Sequence, residues 1–321
     1  PLAPLLTALR DAGADVRPLR RQGHPPLRII GQSLSPGEIV MDPGVSSQFV
    51  SALMMASPLW GRGLSLDFGG RTPVSAPYIA MTASLMERYS ARIERTGSHI
   101  CVAPRHISPP DRMEIETDWS AVSYFYQLAL LLPGTPIHID RLTPPAVSLQ
   151  GDARCAEIFS SIGVATEIHP DGSATLLCDA ARLRRVKDSG IVLHYDMNAT
   201  PDLVPALAVG FCLAGLKFRF TGVAHLRHKE TDRMLAPATE LARLGYRLRL
   251  EADAMGWEGE KCAAEEQPMI QTWSDHRMAM AFAPPAVIYP GLRIEHPQVV
   301  GKSFPRYWEM LGRLGFIIAP A

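Results

Sequence analysis

The sequence predicts an α/β or α+β protein built of like lobes, because two elements recur along its 321 residues. The first is an apolar helix followed by an alternating strand. It occurs as SSQFVSALMMASPL with LSLDF from Ser46, and as WSAVSYFYQLALLLPGTPIHID from Trp119. It returns as ATPDLVPALAVGFCLAGLKFRF from Ala199 and as SDHRMAMAFAPPAVIYPGLRIE from Ser274. The strands alternate apolar and polar residues, as in Leu64-Ser-Leu-Asp-Phe68, so each is covered on one face. The second element is an amphipathic helix that closes on Gly and leads into another strand. Its copies are PLAPLLTALRDAG13, APYIAMTASLMERYS90, DARCAEIFSSIG163, TDRMLAPATELARLG245 and FPRYWEMLGRLG315. In the first copy Leu2, Leu5, Leu6 and Leu9 form one apolar stripe. The closing Gly suits the left-handed position after a helix, Ser90 being the exception. These helices return about every 75 residues. Five copies of the second element against four of the first lead us to expect that the chain starts in the middle of a unit. A lobe boundary is expected in the Pro-rich stretch APRHISPPDRMEIE, which gives lobes of residues 1–115 and 116–321.

Composition narrows the function. Hydrophobic residues make up 47% and charged residues 20%, enough for a sizeable core. Thirty-two basic residues balance 32 acidic ones, so net charge gives no support to nucleic-acid binding, and any anion site must be a local concentration of Lys and Arg. No apolar run approaches the roughly 20 residues that a membrane helix needs. No signal peptide is expected, and a cytoplasmic location is. The cysteines at 101, 155, 178, 212 and 262 form no CxxC or Cys/His pair and read as thiols in a reducing compartment. The ten histidines show no metal-ligand spacing, and neither GxGxxG nor a P-loop is present. No metal and no cofactor are expected. Tyr124-Phe125-Tyr126 and Met54-Met55 lie in apolar helices and read as core.

Charged and polar residues gather at the starts of the repeats. Ser46-Ser47-Gln48 opens a helix directly after Pro43-Gly44, which suits either a phosphate site or ordinary capping. His228-Lys-Glu-Thr-Asp-Arg233 is the most charged segment. Lys229 and Arg233 share a face if the helix starts this early, with Glu230 between them as a general acid tuned by the two cations. The bland reading is a solvated helix start, but a basic cluster there opposes the helix dipole, which suggests that the cations serve a ligand. Asp202 and Asp275 suit N-caps, while Arg277 and Lys302 repeat the theme of a cation at a helix start. If like lobes present like ends, these groups converge on a small substrate with several anionic groups, handled by carboxylate acid/base chemistry.

At these residues the chain resembles the 3-phosphoshikimate 1-carboxyvinyltransferase (EPSP synthase) family. The matching stretches are SSQFVSALMMASPL, VSAPYI, DMNATPDLVPALA, HKETDRMLAPATELARLG, SDHRMAMAF and GKSFPRYWEML, in the family's order. The resemblance implies two lobes of repeated βαβαββ units, the first incomplete here and the second with three units. It implies transfer of the enolpyruvyl group of phosphoenolpyruvate to the 5-hydroxyl of shikimate 3-phosphate, by a monomer without partners other than these small molecules. Carried over by position, Ser46, Ser47, Gln48, Ser75 and Tyr78 would hold shikimate 3-phosphate, together with His225, Lys229 and Asp202. Gln48, Arg233, Arg277 and Lys302 would hold phosphoenolpyruvate. Asp202 would be the base, Glu230 the acid, and Lys229 a further catalytic residue beside the reacting hydroxyl. His225 stands where the family usually has Asn. The family's first one and a half units, with their Lys-Ser…Arg cluster and Gly-rich loop, have no counterpart, so the chain by itself is expected to be inactive. An inactive fragment or a binding-only member of the fold is the alternative reading. UDP-N-acetylglucosamine enolpyruvyltransferase shares the chemistry but is not expected to carry KETDR and DHRMAM at these places.

Overall fold

A computed structural model of the chain describes residues 2–319. They cluster into two compact units. The first runs to Ile115 and includes Leu149–Gly151; the second takes Glu116–Ser148 and the chain from Asp152 onward.

The first unit opens with α1 (Ala3–Asp11), which leads into the antiparallel pair β1 (Asp15–Pro18) and β2 (Leu27–Ile30). A full repeat follows: β3 (Glu38–Val40), α2 (Ser47–Ala56), β4 (Leu64–Asp67), α3 (Ala76–Arg88), β5 (Ile93–Thr96) and β6 (His99–Val102). The sheet order is β3-β4-β6-β5, with β3 parallel to β4 and the other two pairs antiparallel. The alternation read in the sequence is the burial pattern of β4, whose Leu64 and Leu66 point into the core. Helices α2 and α3 bury Val50, Leu53 and Met54 on one and Ile79, Ala83 and Met86 on the other, the spacing of one helical stripe. Each such leucine contributes roughly 1.5–3 kcal/mol by leaving water.

The second unit opens with α4 (Trp119–Leu131), β7 (Ile137–Ile139), α5 (Cys155–Ser161), β8 (Val164–Ile168) and β9 (Ala174–Cys178), whose strands form a sheet in the order β7-β9-β8. After α6 (Ala180–Asp188) comes a second full repeat. It comprises β10 (Leu193–Asp196), α7 (Val204–Ala214), β11 (Phe218–Thr221), α8 (Leu235–Arg243), β12 (Arg249–Leu250) and β13 (Ala254–Trp257). Its order, β10-β11-β13-β12, and its pattern of one parallel and two antiparallel pairs reproduce the first unit's sheet. The chain finishes with β14 (Met269–Ile270), α9 (His276–Phe282), β15 (Arg293–Ile294), parallel to β14, and α10 (Tyr307–Arg313).

Helix α7 is apolar all round and buried from Val204 through Cys212, as a helix enclosed by neighbours must be. It packs against α4 and α9, and Gly210 permits this closeness, since a Cβ there would come within 3.1 Å of Gln127 Cγ. Two buried polar ties fix α9. The Gln127 amide donates to the Ala281 carbonyl at 2.7 Å, and the Tyr307 hydroxyl donates to the Met280 carbonyl at 2.8 Å. The helices closed by Gly13, Gly163, Gly245 and Gly315 end at left-handed φ, and Ser90 adopts the same conformation at φ 65°. Among the described residues no helix is long and apolar enough to cross a membrane.

Candidate active site

Every residue singled out from the sequence lies where a strand gives way to a helix. Ser46, Ser47 and Gln48 follow β3, and Ser75 and Tyr78 follow β4. Asp202 follows β10; His225, Lys229, Glu230 and Arg233 follow β11; Arg277 follows β14; and Lys302 follows β15. The strands in question form the parallel pairs of the repeats, whose C-terminal ends gather helix N-termini and their partial positive charge.

In the first unit the starts of α2 and α3 lie together. The Val74 N–H donates to the Pro43 carbonyl at 2.8 Å, and the Ser51 and Thr82 hydroxyls meet at 2.8 Å. Ser46 does cap α2, its Oγ accepting from the Gln48 N–H at 3.3 Å. Ser47 is buried and Gln48 exposed. Ser75 is buried at left-handed φ 53°, with Tyr78 half-buried in the first turn of α3.

In the second unit Asp202, Glu230, Arg233, Asp275, Arg277 and Lys302 form one ion network. Arg233 is its hub at 2% exposure. Its Nε donates to Asp275 Oδ2 at 2.7 Å, its Nη1 to Asp202 Oδ1 at 2.9 Å, and its Nη2 to Glu230 Oε2 at 2.7 Å and Asp275 Oδ1 at 3.2 Å. Arg277, 12% exposed, reaches Asp202 Oδ2 at 2.7 Å, and Lys302, 56% exposed, donates to Glu230 Oε1. Three carboxylates thus face three cations. Burying the charges of Arg233 and Asp275 is costly, and a partly buried cluster with a strongly shifted carboxyl marks a candidate functional site.

The Glu230 carboxyl is pulled down from an ordinary 4.5 to about 2. Burial is the largest influence and raises it, but the hydrogen bond from Lys302 and the charge of Arg233 outweigh burial. Glu230 is therefore an anion at neutral pH while Lys302 holds it. His225 is shifted the other way, its imidazole pKa lowered by burial first and then by the Lys229 charge. Its buried Nε2 has no hydrogen-bond partner among the described residues. Among those residues no group of three or more His, Cys, Asp or Glu is placed to hold a metal ion.

The condition for Lys229 and Arg233 to share a helical face, a helix starting as early as Lys229, is not met: α8 begins only at Leu235. Asp232 ends the preceding turn by accepting from the Met234 and Leu235 N–H groups, and the Arg233 N–H bonds back to the Leu226 carbonyl at 3.1 Å. Lys229 and Arg233 therefore do not share a helical face. The β12–β13 hairpin props up this turn. Asp253 Oδ1 accepts from the Ala224 N–H at 2.7 Å, and Arg227 Nη2 donates to the Glu251 carbonyl at 2.8 Å. Asp275, read as a cap, does cap α9 through the Arg277 N–H at 2.9 Å while also gripping Arg233. Tyr124, read as plain core, lies against the network. Burial raises its phenol to about 12, against the pull of Arg277 and Arg233.

The family model of EPSP synthase (3-phosphoshikimate 1-carboxyvinyltransferase) matches residues 1–311. A Bacteroides fragilis protein named 3-phosphoshikimate 1-carboxyvinyltransferase is 41% identical over 98% of this chain and 75% of its own length. The chain belongs to the EPSP synthase family. A relative of the same name from Syntrophobacter fumaroxidans is 36% identical over 98% of this chain and 71% of its own. Among solved structures, an EPSP synthase from Acinetobacter baumannii gives a TM-score of 0.68 at 20% identity, covering 100% of this chain and 72% of that one. The enolpyruvyl transferase NikO from Streptomyces tendae gives 0.66 at 16% identity, covering 98% and 71%. At these identities the two structures establish the fold alone. That fold, mixed helix and strand in repeated units, is the α/β class expected from the sequence, and family membership makes the chain kin to transferases of the shikimate route to aromatic amino acids.

Proposed function

We propose that the protein transfers the enolpyruvyl group of phosphoenolpyruvate to the 5-hydroxyl of shikimate 3-phosphate and releases inorganic phosphate. The observation that carries this reading is the balanced network of three carboxylates and three cations around Arg233. Lys302 is the exposed cation of the set and Arg277 is less deeply buried than Arg233; these two would take the phosphate and carboxylate of phosphoenolpyruvate, with Gln48 as a further contact. Arg233 commits four of its five N–H donors to protein carboxylates and is 2% exposed, so it would act on the same anion chiefly through its charge. Ser46, Ser47, Gln48, Ser75, Tyr78, His225 and Lys229 would hold shikimate 3-phosphate.

Asp202 would accept the proton of the 5-hydroxyl as its oxygen bonds to C2 of phosphoenolpyruvate, with Lys229 steadying the developing charge. Glu230 would deliver a proton to C3, giving a tetrahedral intermediate. Breaking the C2–O bond to phosphate, with Asp202 passing the hydroxyl proton to the departing phosphate, and returning a C3 proton to Glu230 restores the double bond, the base and the acid. For Glu230 to donate it must first be protonated, and an anion that draws Lys302 and Arg233 away removes what depresses its pKa and leaves the upward push of burial and of the new negative charge. Phosphate release from the two substrates, measured on this chain and on a version extended by the part its relatives carry beyond it, tests the reading. It should require both substrates and fall steeply in Glu230→Gln; release without shikimate 3-phosphate, or unchanged in the variant, would overturn it.

A further inference from the structure

Glu240 is a carboxylate that the chemistry above leaves unused, yet it is 0% exposed in the middle of α8. Its partners are specific. Oε1 accepts from Trp273 Nε1 at 2.8 Å, Oε2 accepts from the Gln271 N–H at 3.1 Å, and Arg243 Nε pairs with Oε2 at 3.1 Å. Two of these donors belong to the segment between β14 and α9, the one that delivers Asp275 and Arg277. That segment contains Trp273 at φ 53° and Ser274 at φ 57°, two consecutive side-chain-bearing residues in the left-handed region. Such a conformation persists only where its surroundings impose it. The bend lets the Thr272 carbonyl accept the Asp275 N–H at 2.8 Å, which sets the start of α9.

We propose that Glu240 is a positioning residue: from α8 it clamps the strained Trp273-Ser274 bend and so fixes Asp275 and Arg277 for anion binding. The part concerning anion binding rests on the proposed function above; the clamping itself does not. Glu240 ties the segment bearing Arg277 to the helix that follows the Glu230–Arg233 turn. The two halves of the ion network are thereby held in register by a contact away from the ligand.

Glu240→Gln keeps the shape but replaces one acceptor oxygen with a donor, so either the Gln271 N–H or the indole N–H faces another N–H. Two readouts separate the clamp from the site it serves. In the unliganded protein, hydrogen exchange of the amides of residues 271–277 should accelerate in Glu240→Gln, with exchange in α4 and α7 unchanged. Phosphoenolpyruvate affinity, measured calorimetrically with shikimate 3-phosphate present, should fall about fivefold or more, since one unpaired buried donor suffices for that factor. Trp273→Phe removes only the indole donor from a partly exposed residue, and should repeat both effects more weakly even if Glu240→Gln does not fold. Unchanged exchange at 271–277 in a folded variant overturns the clamp. So does a lowered melting temperature with phosphoenolpyruvate affinity within twofold of the parent. If the parent itself fails to bind phosphoenolpyruvate, the proposed function falls, and the exchange data still decide the clamp.

Discussion

Lys302→Gln isolates what holds Glu230 ionised. In the unliganded protein Glu230 is at about 2, below its ordinary 4.5, despite burial that pushes it up. Lys302 lowers it both as hydrogen-bond donor and as charge, while Arg233 remains on the other oxygen. An opposite charge in contact moves a carboxyl by about one to three units, so the variant should bring Glu230 up by about one unit or more. The pH sign follows from the direction of the shift. A depressed carboxyl stabilises the fold above its unfolded value and loses that contribution as pH falls through its folded one. The parent's advantage over the variant should therefore be fully present above about pH 4.5 and fade toward pH 2. Lys302 is 56% exposed, so water screens the pair and the loss of stability should be on the order of 1 kcal/mol, as a shift near one unit implies. The assay is a titration of Glu230 by its side-chain carboxyl carbon in NMR of ¹³C-glutamate-labelled protein, assigned with Glu230→Gln. A midpoint that stays near 2 in Lys302→Gln would show that Arg233 alone sets the charge of Glu230. The idea that an incoming anion releases the acid by taking Lys302 would then fail.

Arg233→Met leaves Asp202, Glu230 and Asp275 facing one another without their shared cation. It should cost about 3–5 kcal/mol, read as a fall in melting temperature; a fall under two degrees would mean that the carboxylates take up protons and that the hub is dispensable. Glu230→Gln and Asp202→Asn should each lower kcat by about 10²–10⁴ with little change in shikimate 3-phosphate affinity, and kcat within about threefold of the parent would remove the acid/base roles. Arg277→Ala should raise the KM for phosphoenolpyruvate about tenfold to hundredfold, as loss of a charged hydrogen bond implies, while an equal effect on shikimate 3-phosphate would reassign the anion.

The repeats were legible in the sequence because a helical stripe and a strand alternation are local patterns, and all nine helices read from them are present. Helix α6 was not. Its sequence AARLRRVKD buries only Leu183, so it has no stripe to detect, and its one signal is the cap from Asp179 to the Ala181 and Arg182 N–H groups. The charged turns were legible as places but not as pairings. Asp275 sits 42 residues from Arg233 and looked like a cap, because only the packing of the turn before α8 against α9 makes them partners. Glu240 was hidden for the same reason. In TDRMLAPATELARLG it occupies a polar position of an amphipathic helix, and its burial depends on an indole 33 residues away. The start of α8 was placed too early because Asp232 caps from inside the charged run instead of ahead of it.

The two ends of the second unit's four-stranded sheet differ in what they can tolerate. The register that sets Thr221 opposite Ala254 brings the tip of the β12–β13 hairpin to the end where β11 runs into the charged turn; there the Asp253 carboxylate holds that turn by its backbone, and the Glu251 carbonyl accepts from the turn's Arg227 side chain. At the opposite end, ahead of β10, the chain passes through the exposed Ser189-Gly190. For engineering this marks where the molecule can be cut or lengthened. A short glycine–serine insert at Gly190 should leave phosphate release intact, whereas the same insert beside Asp253 should loosen Lys229 and Glu230 and abolish it, although residues 251–253 are themselves a surface turn.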